Sequence, residues 1–219
     1  MPFAFTSESV FAFAGIRTYV ELGDVEQGPA SLRVGRQDLN FGSGRLLGTS
    51  YWRNASRGYD AALATLRWDR FRLSAFSASQ VAAKENGLSH HQQGNNIHGL
   101  YGGIQDWIPG SVIEPYLLWR VGRGNRVQDS KTLGVRWAGK ASPALDYDIE
   151  AASQAGRISS RTEHSWAAAA IAGYTFTETA GKPRVFVEYN FASGGFDQLF
   201  PKAHDHHGTA DQIAWQNLK

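Results

Sequence analysis

The sequence predicts an all-β fold, an antiparallel up-and-down meander of the transmembrane β-barrel type, and three observations carry that prediction. Segment after segment alternates apolar and polar residues with a period of two, the spacing of a strand whose two faces meet different surroundings. Turn-forming residues separate the segments, with short turns expected on one side and long, glycine-rich loops on the other. Aromatic residues stand at strand ends, as in Arg67-Trp68-Asp69-Arg70-Phe71-Arg72, where Trp68 and Phe71 flank a tight turn and suit a membrane interface.

The elements follow in order. Ile16 to Leu22 puts Ile16, Val20 and Leu22 on one face and Arg17, Tyr19 and Glu21 on the other. A turn from Gly23 to Pro29 leads into a strand from Ser31 to Leu39. Residues 59–68 and 71–81 form the clearest hairpin, with Ala62, Ala64, Leu66, Trp68, Phe71, Leu73 and Ala75 apolar on one side and Thr65, Arg67, Arg72 and Ser74 on the other. A second hairpin joins Ile97–Gln105 to Ser111–Val121 through Asp106-Trp107-Ile108-Pro109-Gly110, a strong turn signal. A third runs from Lys131 to Ala152 around Gly139 to Pro143, and a fourth from Ser165 to Ala192. In these, Leu133, Val135, Trp137, Leu145, Tyr147, Ile149, Val185, Val187, Tyr189 and Phe191 alternate with Arg136, Asp146, Asp148, Glu150, Arg184, Glu188 and Asn190.

Composition narrows the function classes. The 219 residues read as a single domain, 1–219, because nothing in the composition shifts sharply along the chain. A spanning helix needs about 20 consecutive apolar residues, and no stretch approaches that. The formal charge of +2 gives no reason to expect a nucleic-acid partner. Cysteine is absent, which removes disulfides, thiolate metal sites and thiol nucleophiles. Met1-Pro2-Phe3-Ala4-Phe5 shows no secretory signal, and Gln216-Asn217-Leu218-Lys219 lacks the aromatic end of a closing strand, so the chain reads as a fragment of a longer barrel.

Two blocks carry a family resemblance. Leu32-Arg33-Val34-Gly35-Arg36-Gln37-Asp38-Leu39-Asn40-Phe41-Gly42-Ser43-Gly44-Arg45-Leu46, with Trp52-Arg53-Asn54 and Arg57-Gly58-Tyr59-Asp60 after it, is the first. The second is Glu188-Tyr189-Asn190-Phe191-Ala192-Ser193-Gly194 with Phe196-Asp197-Gln198-Leu199-Phe200-Pro201, His204, Gly208, Asp211 and Trp215-Gln216-Asn217-Leu218. In this order and spacing they resemble the alginate export family of bacterial outer-membrane proteins. The resemblance implies a monomeric antiparallel barrel, set in outer-membrane lipid, that passes anionic polysaccharide or related anionic solutes through an arginine-lined lumen, with periplasmic export partners. About eleven or twelve strands are expected, fewer than in a complete member, which leaves sheet edges that lipid cannot satisfy.

An anionic polymer calls for fixed positive charge in a narrow lumen, and arginine binds a carboxylate through two parallel hydrogen bonds without losing its proton. Strand parity nominates Arg17, Arg33, Arg67, Arg72, Arg120, Arg136 and Arg184 for that face, with Glu21, Glu114, Asp146, Asp148, Glu150 and Glu188 among them. These acids either position the arginines and temper binding, or form structural ladders that brace the wall. Arg36 joins the candidates through the motif, although parity with Leu32 and Val34 turns it toward lipid; a bulge at Gly35 or a position above the hydrocarbon reconciles the two. Arg45, Arg53 and Arg57 fall in the stretch 42–58, read as a long extracellular loop in which they either attract polyanion at the mouth or are merely solvated.

No cofactor or metal is implied. His90-His91 and His204-Asp205-His206-His207 read as solvated histidines, and the glycines of 42–48 have neither dinucleotide nor phosphate-loop spacing. No catalytic constellation stands out, so the expectation is a channel and not an enzyme. Two rivals remain: a general-diffusion porin, and a soluble β-rich carbohydrate-binding or hydrolytic domain in which carboxylates such as Asp146 and Asp148 line a sugar groove.

Overall fold

The structure, a computed structural model, describes residues 17–24, 28–49, 57–82, 90–123, 128–158 and 161–202. Ten strands follow one another: β1 (Thr18–Leu22), β2 (Ala30–Gln37), β3 (Tyr59–Trp68), β4 (Phe71–Ala82), β5 (His90–Gln105), β6 (Ser111–Gly122), β7 (Gln128–Lys140), β8 (Leu145–Ile158), β9 (Arg161–Thr175) and β10 (Arg184–Ala192). They form one sheet in sequence order, every pair antiparallel. Ten strands stand among the described residues where eleven or twelve were expected, and β1 and β10 are not paired with each other there.

The four expected hairpins are present. Their turns have local causes. Asp69 at the β3–β4 turn and Asp106 at the β5–β6 turn take φ of 50° and 53°, a left-handed conformation that aspartate tolerates better than most residues. The Asp106 carboxylate also accepts the Gly110 N–H at 3.1 Å, and the Asp106 N–H donates to the Ser111 carbonyl at 2.9 Å, closing the loop. Proline 115 sits within β6 opposite Gly102, whose missing side chain leaves room for the ring. Between Ser79 and Val81 the β4–β5 register shifts, which returns Val81 to the buried face although its number parity is that of Phe71 and Leu73.

The alternation of short and long connections is less regular than the sequence suggests. At the end opposite the Asp69 turn, β8 and β9 are joined only by residues 159–160, and β6 and β7 by 123–127. The cause is strand length. With 13, 14 and 15 residues, β7, β8 and β9 run past the roughly 9–11 needed to cross a bilayer, absorbing chain that would otherwise be loop. The longest connection at that end by residue number is 38–58, described over 38–49 and 57–58, and residues 193–202 follow β10.

The two faces of the sheet differ in chemistry. Leu66, Trp68, Leu73, Leu100, Leu117, Leu133, Val135, Ile149, Val185 and Val187 stand exposed on one face, with Leu133 64% and Val187 73% accessible. No second sheet covers them among the described residues. A soluble sandwich buries such a face, and a soluble monomer rarely exposes so continuous an apolar patch. Aromatic pairs mark the turn end of this face: Trp68 with Phe71 at 5.8 Å, Trp137 with Tyr147 at 4.9 Å, and Tyr174 with Phe176 at 5.0 Å between ring centres. Toward the other end stand Trp119 and the Trp166–Phe191 stack at 4.4 Å. Between Trp166 and Tyr174 along β9 lies about 26 Å of strand, which at a tilt of about 40° rises about 20 Å and so spans most of an apolar band about 25 Å tall.

The opposite face holds the core, and the chain itself fills it. Residues 38–49 and 193–202 turn back over this face, so that Leu39, Leu46, Leu47, Phe196, Leu199 and Phe200 pack against Tyr59, Phe76, Ile97, Tyr101, Tyr116 and Leu118. Phe41 stacks between Phe76 and Tyr101, at 5.0 and 4.8 Å. The two segments join by a parallel bridge from Leu47 to Phe200, with Gly48 N–H to Phe200 carbonyl, Phe200 N–H to Leu46 carbonyl and Lys202 N–H to Gly44 carbonyl each at 2.9 Å. Residues 44–49 are therefore buried and not solvated. Leu46 and Leu47, with Phe41 before them, are too apolar to stay in water when an apolar inner surface lies within reach.

Candidate functional site: the arginine-bearing inner face

Alternation places Arg33, Arg67, Arg72, Glu114, Arg120, Arg136, Arg184 and Glu188 on the face that 38–49 and 193–202 cover in part. Their side chains do not stand free. Each arginine is tied to an acid or a carbonyl, and each glutamate to an arginine.

The centre is Glu114, buried and accepting from three donors: Arg136 Nη1 at 2.6 Å, Arg72 Nη2 at 3.0 Å and the Tyr101 hydroxyl at 3.4 Å. Arg136 also forks onto Asp148, through Nε at 2.9 Å and Nη2 at 2.8 Å. This is the planar two-bond geometry for which arginine is suited. Sheet register produces it directly, since Glu114 pairs across with Arg136, and Arg136 stands opposite Glu150 on the next strand with Asp148 its diagonal neighbour on the same face. Gly134 on β7 makes room for the Tyr116 ring, which an added Cβ would strike. Tyr116 then donates to buried Glu150 at 2.8 Å.

Above this centre the inward segments take part. Arg45 is buried at 6% accessibility and donates to Asn190 at 2.7 Å and to Glu188 at 3.1 Å, with Glu150 at 3.9 Å. It was expected in an extracellular loop. Instead it ties 38–49 to β8 and β10, because the aliphatic packing of Leu46 and Leu47 draws its backbone inside. Arg57 donates to the Pro201 carbonyl at 3.4 Å and lies over the Phe200 ring at 5.4 Å. Arg120 covers Phe200 at 4.6 Å and contacts Asp197 at 2.8 Å. Arg53 lies outside the described residues, as do His204, His206 and His207.

Toward the short turns, Arg184 crosses Gly173 of β9 to reach Asp146 on β8, with Nε to Oδ2 at 2.8 Å. Arg33 pairs with Glu21 at 2.9 Å and lies over the Tyr19 ring at 4.6 Å. Arg67 donates to the Gly28 carbonyl at 3.4 Å, and Arg17 to Asp38 at 2.7 Å. Arg36 is the exception in placement. It stands on the outer face with Leu32 and Val34 and forks onto its cross-strand partner Asp60, at 2.8 and 3.1 Å. Gly35 takes φ of 131° without reversing that parity.

Asp38, Asp60 and Asp197 belong to the blocks that carry the resemblance but have no role assigned from the sequence, and the inner-face groups Tyr101, Gln128 and Gln154 are not singled out by it. Asp60 is legible in retrospect from cross-strand register, but Asp197 lies 77 residues from Arg120 and no local pattern connects them.

A single meander with an apolar, aromatic-edged outer face and an ion-paired inner face defines the wall of a membrane-type β-barrel. The family model described as alginate export matches residues 13–219, and the chain belongs to that family. No curated protein matches it.

Proposed function

We propose that this chain forms wall and interior of an outer-membrane channel that passes anionic polysaccharide, or related anionic solutes, along its arginine-bearing face. The observation that carries the reading is the inner row of Arg72, Arg136, Arg45 and Arg120, in which each guanidinium is held in place by a carboxylate. Fixed charges in a confined, poorly screened space attract a polyanion, and neighbouring carboxylates keep any single contact weak enough for release. Arg72 is the most accessible member of the row, its side chain 39% exposed, and it faces the part of the inner surface nearest the short turns.

Planar-bilayer recording of the full-length protein tests the reading. Anion-selective conductance that added polyuronate blocks from one side is the expected result. Conductance indifferent to polyuronate would favour the general-diffusion porin, for which the pairwise neutralisation of the arginines speaks. No conductance, or clear cation selectivity, would remove the proposal.

A further inference from the structure

Asp197 is held as a ligand is held. Its carboxylate contacts Arg120 Nη1 through both oxygens, at 3.0 and 2.8 Å, and Gln128 Nε2 donates to it at 2.5 Å. Its backbone is gripped as well, the N–H donating to Gln154 Oε1 at 2.8 Å and the carbonyl accepting from Gln154 Nε2 at 3.0 Å. These three side chains come from β6, β7 and β8, so the receptor is built by the wall and its occupant by the inward segment. The receptor is also braced from behind. Gln128 and Gln154 are each 3% exposed, and they donate to Ser130 Oγ at 3.2 Å and Thr132 Oγ1 at 2.8 Å.

The fit is incomplete in one respect. Asp197 uses a single guanidinium nitrogen, and the buried Arg120 Nε has no acceptor among the described residues. An arginine prefers to meet a carboxylate with two nitrogens in parallel. An occupant tethered in a turn is not free to find that geometry, whereas an unattached carboxylate is.

We propose that Arg120, Gln128 and Gln154 form a subsite for the carboxylate of a hexuronate unit, and that Asp197 occupies it in cis until the solute displaces it. This rests on the channel reading above. The sugar's carboxylate takes the Arg120 fork and Gln128, and an adjacent ring hydroxyl, both donor and acceptor, meets the Gln154 amide as the Asp197 backbone does now. Displacement also removes Asp197's hold on Arg120, beside Phe200. Occupation of the subsite and release of 193–202 are thereby coupled, because the solute binds one arrangement and not the other.

The test is calorimetric titration of the full-length protein in detergent with glucuronate, and with glucose as the uncharged control. A tethered competitor acts at a high effective concentration, so D197A is expected to bind glucuronate about tenfold more tightly than the unaltered protein, with glucose unchanged. D197N, which keeps an acceptor for the Leu199 N–H, gives a smaller gain in the same direction and serves if D197A does not fold. Adding R120Q abolishes the gain. No gain in the variant that folds, or an equal gain for glucose, overturns the proposal. Bilayer recording separates the two ideas: an unaltered protein that passes no anion current fails the channel reading while the titration still decides the subsite, and one blocked by polyuronate whose variants bind no better fails the subsite alone.

Discussion

Replacing Glu114 by glutamine strikes the centre of the inner face. The carboxylate is 7% exposed at its side chain and serves Arg136, Arg72 and Tyr101. Breaking a buried pair from one side costs about 3–5 kcal/mol when the partner is left unpaired. Here the loss is smaller, because Arg136 keeps its two bonds to Asp148 and Arg72 is exposed enough to be hydrated. The amide oxygen also still accepts one donor, but its NH2 now faces a guanidinium. About 2–3 kcal/mol is therefore expected, below the range for a buried charge left wholly unpaired. The control is Glu21→Gln at the Arg33 pair, whose side chains are 24% and 33% exposed and which should cost about 1 kcal/mol or less. Equilibrium urea unfolding of the full-length protein in lipid vesicles, followed by tryptophan fluorescence, measures both. Equal costs, or a larger cost at Glu21, would refute the inference that Glu114 organises the interior.

Other expectations concern packing and the inward segments. Leu133→Arg, on the open apolar face, should cost about 2–4 kcal/mol in a bilayer if its level is mid-membrane, and unfolding in vesicles reads that; no cost would place the face in water. Gly134→Val drives side-chain atoms into the Tyr116 ring and should destabilise by about 1–3 kcal/mol, with Tyr116→Ala in the same chain restoring tolerance at 134. Phe200→Ala removes the ring shared by Arg57 and Arg120 and should loosen 193–202, seen as larger single-channel conductance; unchanged conductance would mean that the segment does not limit the path.

The wall was legible in the sequence because a strand of two faces writes its period into every second residue, and Leu66, Leu117 and Leu133 obeyed it throughout. Arg36 divides the two kinds of signal, since the motif puts it among the lumen candidates while parity with Leu32 and Val34 turns it to the outer face it occupies. The interior was not legible. Period-two reasoning says which way a strand residue points but nothing about a connection, so the inward turn of 38–49 and the burial of Arg45 went unseen. The acid that meets Arg120 comes from such a connection. Glycines 134 and 173 are similar: each looks like a weak point in a strand, and each is the space through which Tyr116 or Arg184 passes.

The absence of cysteine from these 219 residues makes the most direct test simple. Single cysteines at Arg72, Leu133 and Val135 of the full-length protein in lipid vesicles would be exposed to a charged, membrane-impermeant thiol reagent, with and without polyuronate. The account predicts rapid labelling at 72 that polyuronate slows, and protection at 133 and 135 under both conditions. Labelling at 133 and 135, or labelling at 72 that polyuronate leaves unchanged, would contradict it.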